Sequence, residues 1–328
     1  MPKNRIIPIF IPPCGCPNMC VFCDQRTIAG VKRPPSPKEV AALISEGLSR
    51  SGEGAELAFY GGSFTAIPKS LQEGYLSAAY GFVREGRLSG IRLSTRPDAI
   101  APDTPEFLKS YGVHTVELGA QSMEDTALAA SKRGHTALDT ERASQIIKQG
   151  GLELVLQLMP GLPGETDPMY SVLKAAELEP SGVRLYPVVV IEGTELARMY
   201  REGSYTPLSI ERAADICADA SEIFEARGIT VIRCGLNPSE GLEPEVVAGA
   251  YHPAFGELVT SRRIRRRVEG MLKDVRGEVL EITVEPRLLS AAVGNKRENI
   301  TYFKERFGFK EVRVKQGAQK NGLSINCY

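Results

Sequence analysis

Four of the seven cysteines in this 328-residue chain lie within one stretch of ten residues, CGCPNMCVFC, at positions 14–23. Closely spaced thiols can form disulfides, bind a structural zinc ion or hold an iron–sulfur cluster. Cys16, Cys20 and Cys23 have the spacing C-x3-C-x2-C, and Cys14 precedes the first of them by two residues. The chemistry of this segment depends on which of the three uses fits the rest of the chain.

The context favours the cluster. The N-terminal segment MPKNRIIPIFIPP lacks a signal-peptide cleavage site, and no apolar run approaches the roughly 20 residues that span a bilayer, so we expect a cytoplasmic protein. Thiols stay reduced in that compartment, which argues against disulfides. A structural zinc site needs four closed ligands, usually in two pairs, and no histidine lies nearby in the sequence. Three thiolates on a tight loop suit a cubane cluster and leave one iron open for a substrate or cofactor.

Composition and charge narrow the class further. Hydrophobic residues make up 42% of the chain, which is typical of a globular protein and not of a disordered one. Residues 261–328 contain 16 basic and 8 acidic residues, whereas residues 1–260 contain 24 and 32. This asymmetry indicates a polyanion as a partner of the basic segment. The three remaining cysteines, Cys217, Cys234 and Cys327, are interpreted as packing residues.

The elements that would position the cysteine segment are short strands that alternate with amphipathic helices such as Pro37–Ser49 and Ile210–Ala226. The predicted strands are Arg5–Ile11, Glu56–Tyr60, Gly90–Thr95, His114–Leu118, Glu153–Leu158, Gly182–Val190 and Ile229–Cys234. This order predicts an α/β fold, a partial (β/α)6-7 TIM-type barrel over residues 1–235. In such barrels the chemistry gathers at the carboxyl ends of the strands.

Unusual motifs follow five of these strands, which agrees with that rule. They are CGCPNMCVFC (14–23), YGGSFT (60–65), STRPD (94–98), ELGAQS (117–122) and MPGLPGE (159–165). Loops after strands always contain turn residues. Five such motifs in a row, four of which also carry charged or amide side chains, indicate one site at this edge of the barrel.

The motif C-x3-C-x2-C with Phe22 before its last cysteine resembles the signature of the radical S-adenosylmethionine enzymes. YGGSFT resembles the loop of that superfamily that holds the methionine amino group of the cofactor, and GLPGET (161–166) resembles its adenine-facing loop. The resemblance implies a barrel of the radical S-adenosylmethionine type, a 4Fe–4S cluster on Cys16, Cys20 and Cys23, and S-adenosylmethionine as cofactor. It also implies an electron donor of the flavodoxin or ferredoxin type.

Eight residues are expected to contact S-adenosylmethionine. Glycine loops let backbone groups approach its ammonium group and adenine, polar strand ends can bond its sugar or carboxylate, and an arginine can clamp the carboxylate. The predicted residues are Phe22, Gly61, Gly62, Ser63, Thr95, Gln121, Arg133 and Gly161. No catalytic residue is identified; Cys234 and Tyr186, at predicted strand ends, are candidates for a hydrogen donor, although packing is the favoured interpretation of both.

A second set of motifs is similar to the catalytic subunit of Elongator and its bacterial relatives. They are STRPD (94–98), VELGAQS (116–122), SKRGHT (131–136), LMPGLPG (158–164) and RLYPVVVIEGTEL (184–196). Elongator subunits act on the wobble uridine of transfer RNA with acetyl-CoA as donor, so an RNA nucleoside is the implied substrate. Here only three residues separate the first two cluster cysteines, a much shorter gap than in Elongator subunits, and the last 70 or so residues are too few for an acetyltransferase domain. The acetyl step is therefore not expected.

The C-terminal residues 276–328 predict a small basic α/β domain that resembles a KH module. A strand (Val279–Val284), two helices (Pro286–Ala292 and Glu298–Phe307) and a strand (Glu311–Lys315) surround the loop Gly294–Arg297. In KH domains a GxxG loop grips the nucleotide backbone, and here arginine replaces its second glycine. RNA contact is predicted for residues 294–315 and for the arginine-rich stretch 262–267 of the connector 236–275. The alternative is that these charges meet solvent or the acidic barrel.

Three functions stay open at this point. The leading hypothesis is an enzyme that cleaves S-adenosylmethionine to a 5′-deoxyadenosyl radical, which takes hydrogen from a substrate such as a transfer RNA nucleoside. The second is a binding protein that keeps the cluster but carries haem or binds RNA without turnover. The third is a small-molecule oxidase of the coproporphyrinogen oxidase-like kind.

Overall fold

Seven parallel strands form the main sheet of the computed structural model, which describes residues 5–12, 16, 19–23, 33–237, 241–272, 277–317 and 322–328. The strands are β1 (Ile6–Ile11), β2 (Ala55–Gly61), β3 (Leu88–Thr95), β4 (Val113–Gln121), β5 (Glu153–Leu158), β6 (Gly182–Leu185) and β8 (Thr230–Cys234). They pair in the order β1-β2-β3-β4-β5-β6-β8, and all six pairings are parallel. The sheet is an open half-barrel, and the predicted α/β partial barrel is confirmed.

Helices lie between these strands, and six of the eight pack on the hydrophobic core at the outer face of the sheet. They are α1 (Pro37–Ser51), α2 (Lys69–Arg84), α3 (Thr104–Ser110), α4 (Asp125–Ala130), α5 (Ala137–Gln149), α6 (Pro168–Glu177), α7 (Glu195–Arg201) and α8 (Ile210–Ala226). Capping boxes begin two of them: Ser36 and Glu39 at α1, and Thr136 and Asp139 at α5. These reciprocal hydrogen bonds satisfy the first backbone N–H groups and so define where each helix begins.

The two faces of the sheet differ in polarity, because successive side chains of a strand point in opposite directions. In β1, Ile7, Ile9 and Ile11 belong to the hydrophobic core, whereas Phe10 on the other face is 38% exposed. In β4, the core residue Val116 alternates with the buried carboxylate of Glu117. The inner face of the half-barrel, called the lumen below, is therefore lined by polar and aromatic side chains.

A second unit follows the barrel. Helix α9 (Phe255–Met271) leads to β10 (Val279–Val284), α10 (Leu289–Val293), α11 (Glu298–Phe307), β11 (Glu311–Gln316) and β12 (Leu323–Cys327). Strand β10 lies in the centre, parallel to β11 and antiparallel to β12. Helix α9 serves two cores, because Phe255 and Val259 pack with the barrel while Ile264 and Val268 pack with the small sheet. The predicted domain boundaries at 235 and 275 stay predictions.

Several elements differ from the sequence prediction. The strand predicted at Gly182–Val190 is divided into β6 and β7 (Val189–Ile191), and β7 pairs antiparallel with β9 (Val246–Gly249) inside the predicted connector. Strand β12 was not predicted, and α9 begins five residues before the predicted Thr260. Among the described residues, no helix has the length and apolar character needed to cross a membrane.

Candidate functional site

The cysteine segment packs at the carboxyl ends of the strands. The backbone N–H of Val21 donates to Ser131 at 3.1 Å, and the carbonyl of Val21 accepts from Leu196 at 2.8 Å. The Val21 side chain is buried in a small apolar cluster that includes Leu196, with Phe22 packed at its edge. Contacts from α4 and α7 thus fix the segment that carries Cys20 and Cys23. Cys14 lies outside the described residues.

Two buried arginines point at the sulfur atoms of this segment. Arg133 donates to Cys20 Sγ at 3.6 Å, and Arg96 donates to Cys16 Sγ at 3.7 Å. Arg96 is 1% exposed and is held by two hydrogen bonds of 2.8 Å to the carboxylate of Asp98. Its guanidinium also donates to the Arg133 carbonyl at 2.9 Å. Two positive charges therefore face the thiols, and they would stabilise sulfur ligands that carry negative charge.

The donor set fits an iron–sulfur cluster. Cys16, Cys20 and Cys23 are thiols and not disulfides. Over the stretches of chain that the structure describes, no three His, Cys, Asp or Glu side chains converge as the ligands of a single metal ion would. A cubane cluster does not require such convergence, because each thiolate binds a different iron. The assignment of the three cysteines as cluster ligands stays a prediction.

The backbone itself requires the glycine pair at the end of β2. Gly61 has φ +96°, and a Cβ at this position would lie 2.6 Å from the Ile11 carbonyl oxygen; at Gly62 it would lie 2.7 Å from that of Pro12. The Gly62 N–H donates to Ile11 at 2.7 Å. Only glycine lets these backbones approach so closely. The two glycines thus support the backbone that leads into the cysteine segment. The contact of Gly61, Gly62 and the buried Ser63 with S-adenosylmethionine stays a prediction.

The next two predicted residues lie at neighbouring strand ends. The Thr95 hydroxyl is 2.6 Å from that of Thr65, which connects the ends of β2 and β3. Gln121 ends β4 in a left-handed conformation with φ +67°, and its side-chain oxygen accepts from Gln157 at 3.0 Å. A non-glycine residue with positive φ costs about 1 kcal/mol or more and is typical of functional sites.

The loop after β5 is held by buried polar contacts. Glu165 accepts from the Gly161 N–H at 2.5 Å, and Tyr205 donates to the Gly161 carbonyl at 2.6 Å. Burial, with repulsion from the carboxylates of Glu124 and Asp167, raises the pKa of Glu165 to about 7. Glu124 itself accepts three hydrogen bonds from the two residues that follow Glu165. The backbone around Gly161 is therefore fixed before any ligand binds.

An ion-pair network closes the lumen below the strand ends. Glu117 is 4% exposed and accepts from Arg184 at 2.8 Å and from Arg92 at 3.0 Å. Arg92 also pairs with Glu56 at 2.8 Å. Tyr60 donates to Glu117 at 3.1 Å and accepts from Arg184 at 2.8 Å. Two arginines and two glutamates balance each other, so this network is an electrically neutral floor.

The two candidate hydrogen donors lie on opposite faces of the sheet. Tyr186 accepts from Arg184 at 3.2 Å and so belongs to the lumen. Cys234 packs against the barrel core and lines a cavity of about 430 Å³ together with Phe255 and Arg263, between β8 and α9. None of the predicted cofactor residues lines this cavity. Cys234 is therefore not placed to meet a substrate in the lumen, and packing is the interpretation that the structure favours for it.

The arginine-rich stretch mostly serves internal contacts. Its arginines pair with acidic residues of the barrel helix α8 or with the adjoining α11. The pairs are Arg262–Asp215 at 3.7 Å, Arg263–Glu225 at 2.5 Å, Arg266–Asp219, and Arg265–Glu298 at 3.4 Å. Four of the five arginines in residues 262–267 thus form ion pairs with α8 or α11, and RNA contact by this stretch stays a prediction.

The loop between α10 and α11 carries two exposed charges. Lys296 and Arg297 have positive φ values of 48° and 64°, and both side chains are exposed. Within the described chain neither forms an ion pair, whereas Lys310, Arg313 and Lys315 are paired with glutamates. RNA contact by this loop, as by the rest of residues 294–315, stays a prediction.

The sequence patterns did not identify Arg96, Glu165 or the network around Glu117. Arg96 lies inside the quoted STRPD motif, and its arginine-proline-aspartate order was the available signal for a buried, forked ion pair. Glu117 and Arg184 are 67 residues apart, and no local spacing predicts their contact.

Comparisons with family models and with curated relatives agree with the resemblance found in the sequence motifs. The family model described as "Radical SAM superfamily" matches residues 10–175, and "Radical_SAM C-terminal domain" matches residues 180–265. The chain is 36% identical over 145 residues to a tRNA uridine(34) acetyltransferase of Methanocaldococcus jannaschii, covering 43% of this chain and 27% of the relative. It is 26% identical over 253 residues to the enzyme of the same name from Dehalococcoides mccartyi, covering 65% of this chain and 55% of that one.

A solved structure supports the same relationship. Archaeal Elp3 of Methanocaldococcus infernus with an N-terminal deletion superposes with a TM-score of 0.63 at 25% identity, over 80% of this chain and 63% of that one. The chain thus spans about half, or less, of the length of the two sequence relatives.

Proposed function

Because the chain belongs to the radical SAM superfamily, we propose that Cys16, Cys20 and Cys23 hold a 4Fe–4S cluster that binds S-adenosylmethionine at its open iron. Enzymes of this superfamily use that cluster and S-adenosylmethionine. The observation that carries the assignment is the pair of guanidinium groups of Arg133 and Arg96 that face the sulfur atoms of Cys20 and Cys16 at 3.6 and 3.7 Å.

When bound, the cluster and S-adenosylmethionine supply one-electron cleavage of the cofactor and a radical that abstracts hydrogen. The protein binds and orients the cofactor and excludes water. Gly161 presents a backbone fixed by Glu165 and Tyr205, and Thr95 and Gln121 present polar groups at the adjoining strand ends. The neutral floor around Glu117 closes the lumen beneath this site and limits the entry of solvent from below.

The proposed substrate is a nucleoside of transfer RNA. The curated relatives named tRNA uridine(34) acetyltransferase support this substrate, and so does the exposed Lys296–Arg297 loop, whose unpaired charges suit phosphate groups. The proposal covers the radical step on RNA and not the acetyl transfer in the names of those relatives. An electron donor of the flavodoxin or ferredoxin type would supply the electron.

The test is anaerobic reconstitution followed by measurement of 5′-deoxyadenosine after addition of dithionite and S-adenosylmethionine, with and without bulk transfer RNA. A rate that rises with transfer RNA supports the proposal. If 5′-deoxyadenosine forms at the same rate with and without transfer RNA, the cofactor chemistry is supported, and a small-molecule oxidase is the favoured function. An intact cluster without any 5′-deoxyadenosine favours the non-catalytic carrier.

A further inference from the structure

Two cysteines outside the cluster segment are in contact with each other. Cys217 lies on α8 and is completely buried in the barrel core, and Cys234 ends β8 and packs against the same core. A hydrogen bond joins the two side chains, and neither sulfur is part of a disulfide. The pair thus combines a hidden thiol with one at the end of an edge strand of the main sheet.

The packing of α8 on the sheet brings these two sulfur atoms together. Leu185, the register partner of Cys234 on β6, is a core residue, so the Cys234 side chain points away from the lumen and toward α8. Ser221 lies one helical turn after Cys217. Its hydroxyl donates to the Cys217 carbonyl at 2.6 Å and is 4.0 Å from Cys234 Sγ. The contact between the thiols is therefore supported from both elements.

The cavity of about 430 Å³ between β8 and α9 gives access to Cys234, which forms part of its wall. Ile232, Ala254 and Glu257 also line this cavity and are exposed, so the cavity is open to solvent. Cavities of about 300–1,000 Å³ commonly hold small molecules. A small molecule can therefore reach Cys234, whereas Cys217, which has no exposed surface, is reached only through Cys234.

The groups around the pair make the two thiols unequal. Arg263 lines the same cavity, where it donates to Glu225 at 2.9 and 2.5 Å, and its buried Nε has no hydrogen-bond partner among the described residues. The hydrogen bond from Cys217 lowers the pKa of Cys234, assisted by Ser221 and Arg263 and opposed by burial and Glu225. The same hydrogen bond, together with burial, raises the pKa of Cys217. Because the thiolate is the reactive form, Cys234 is the nucleophile and Cys217 keeps its proton.

We propose that Cys234 and Cys217 form a redox-active dithiol, which small disulfides that enter the cavity convert into an internal disulfide. The Cys234 thiolate attacks one sulfur of the small disulfide, which releases a small thiolate and leaves a mixed disulfide on Cys234. Cys217 then attacks Cys234 Sγ, and the second small thiol leaves with the proton of Cys217. Two electrons thus pass from the pair to the small disulfide.

The new bond ties α8 to the edge strand β8 beside the contacts of α9. Disulfides of cytosolic proteins are usually transient and serve catalysis or redox sensing, so this bond is expected to form and break with the redox state and not to be structural. The inference is independent of the proposed function, because both thiols lie outside the lumen.

The test treats the anaerobically reconstituted full chain with bis(2-hydroxyethyl) disulfide, which is small and uncharged. The remaining thiols are then alkylated, the protein is digested with trypsin, and the peptides are examined by mass spectrometry. Cleavage after lysine and arginine places Cys217 in residues 213–227, Cys234 in 234–262, Cys327 in 321–328 and the cluster segment in 6–26. We expect the first two peptides to be joined to each other and to separate on treatment with a reducing thiol.

Cys327 is the matched control in the same chain, since it is also half-buried but burial raises its pKa, so it should react more slowly than Cys234. In Cys217→Ser the second step is impossible. The mixed disulfide should then accumulate on Cys234 to roughly ten times its wild-type level or more, because an adjacent thiol in the wild type removes it rapidly. Absence of the joined peptides at a disulfide concentration that modifies Cys327 would overturn the proposal, and so would equal accumulation of the mixed disulfide in both proteins. The joined peptides are sought in the wild-type chain, so a variant that misfolds does not decide the outcome.

Discussion

Arg133 donates a hydrogen bond to the sulfur of Cys20 across 3.6 Å, although 113 residues separate the two in the chain. The same guanidinium donates to the Gly119 carbonyl at 2.9 Å, near the carboxyl end of β4. A Cβ at position 119 would lie 2.8 Å from this guanidinium, so the glycine makes room for it. One buried side chain thus connects the cysteine segment to a central strand, and changes in the arginines should be detected at the cluster.

Substitution of the second arginine should loosen the cluster. Arg96→Lys keeps the positive charge but loses the forked hydrogen bonds to Asp98 that aim the guanidinium at Cys16. By analogy with other groups that support metal ligands, we expect roughly tenfold to hundredfold weaker retention of iron. Iron and sulfide remaining after challenge with a chelator measure this. Arg50→Lys, at an arginine side chain that is 75% exposed, is the control and should match the wild type.

The cysteines should not be equivalent. Cys20→Ser should lose the 4Fe–4S cluster because it removes a proposed ligand, and Cys14→Ser should keep it. Iron and sulfide content after anaerobic reconstitution, together with the visible absorption of the cluster, separate the two variants. Equal loss in both would contradict the assignment of the ligands.

The stability of the barrel should depend on the protonation of Glu165. Its pKa is raised from 4.5 to about 7, so between these pH values the folded protein binds a proton that the unfolded chain has released. The free energy of unfolding therefore falls as the pH rises through this range, by up to the order of 3 kcal/mol. Glu165→Gln should remove this part of the pH dependence. Urea unfolding of both proteins at pH 5 and pH 8 checks it, and identical pH profiles would contradict the role of Glu165.

Breaking the ion-pair network of the lumen floor should lower the free energy of unfolding. Glu117→Gln leaves Arg184 without its carboxylate in a buried site, and we expect a loss of about 3–5 kcal/mol in the free energy of unfolding. Urea unfolding measures it. Glu177→Gln removes a carboxylate of a surface ion pair with Lys174 and should change little. A small effect of Glu117→Gln would mean that water already reaches the floor.

The exposed loop of the small unit should contribute to RNA affinity through charge alone. The double variant Lys296→Gln, Arg297→Gln should weaken binding of transfer RNA regardless of sequence and reduce the slope of log affinity against log salt by about 2. Arg313→Gln is the matched control, because Arg313 is already paired with Glu311 at 2.7 Å. Affinity measured over a range of salt concentrations tests both variants. Equal slopes in the wild type and the two variants would exclude this loop from RNA binding.

Periodicity and turn residues predicted much of this structure. The strand Glu153–Leu158 and the helix Ile210–Ala226 have the bounds that the patterns gave them, because hydrophobic alternation and local capping decide such elements. The break between β6 and β7 was missed although Pro187, which has no N–H to donate to a neighbouring strand, lies within the predicted strand Gly182–Val190.

The site was predictable only where local motifs define it. The glycines at the end of β2 were identified, but not their contact with the backbone of Ile11 and Pro12, which depends on how two strand ends meet. In the same way, the arginines of α9 could not be assigned to acidic partners such as Asp219 without the packing of α9 on α8. Residue spacing predicts neighbours along one element, whereas pairing between elements needs the fold.

The most direct test of the central claim is transfer of deuterium. Transfer RNA deuterated in its nucleosides is incubated anaerobically with the reconstituted protein, a reductant and unlabelled S-adenosylmethionine, and the 5′-deoxyadenosine is examined by mass spectrometry. Deuterium in the 5′-deoxyadenosine is the result that we expect, because the radical would take hydrogen from the RNA. Unlabelled 5′-deoxyadenosine, formed at the same rate with and without the RNA, would contradict an RNA nucleoside as the substrate.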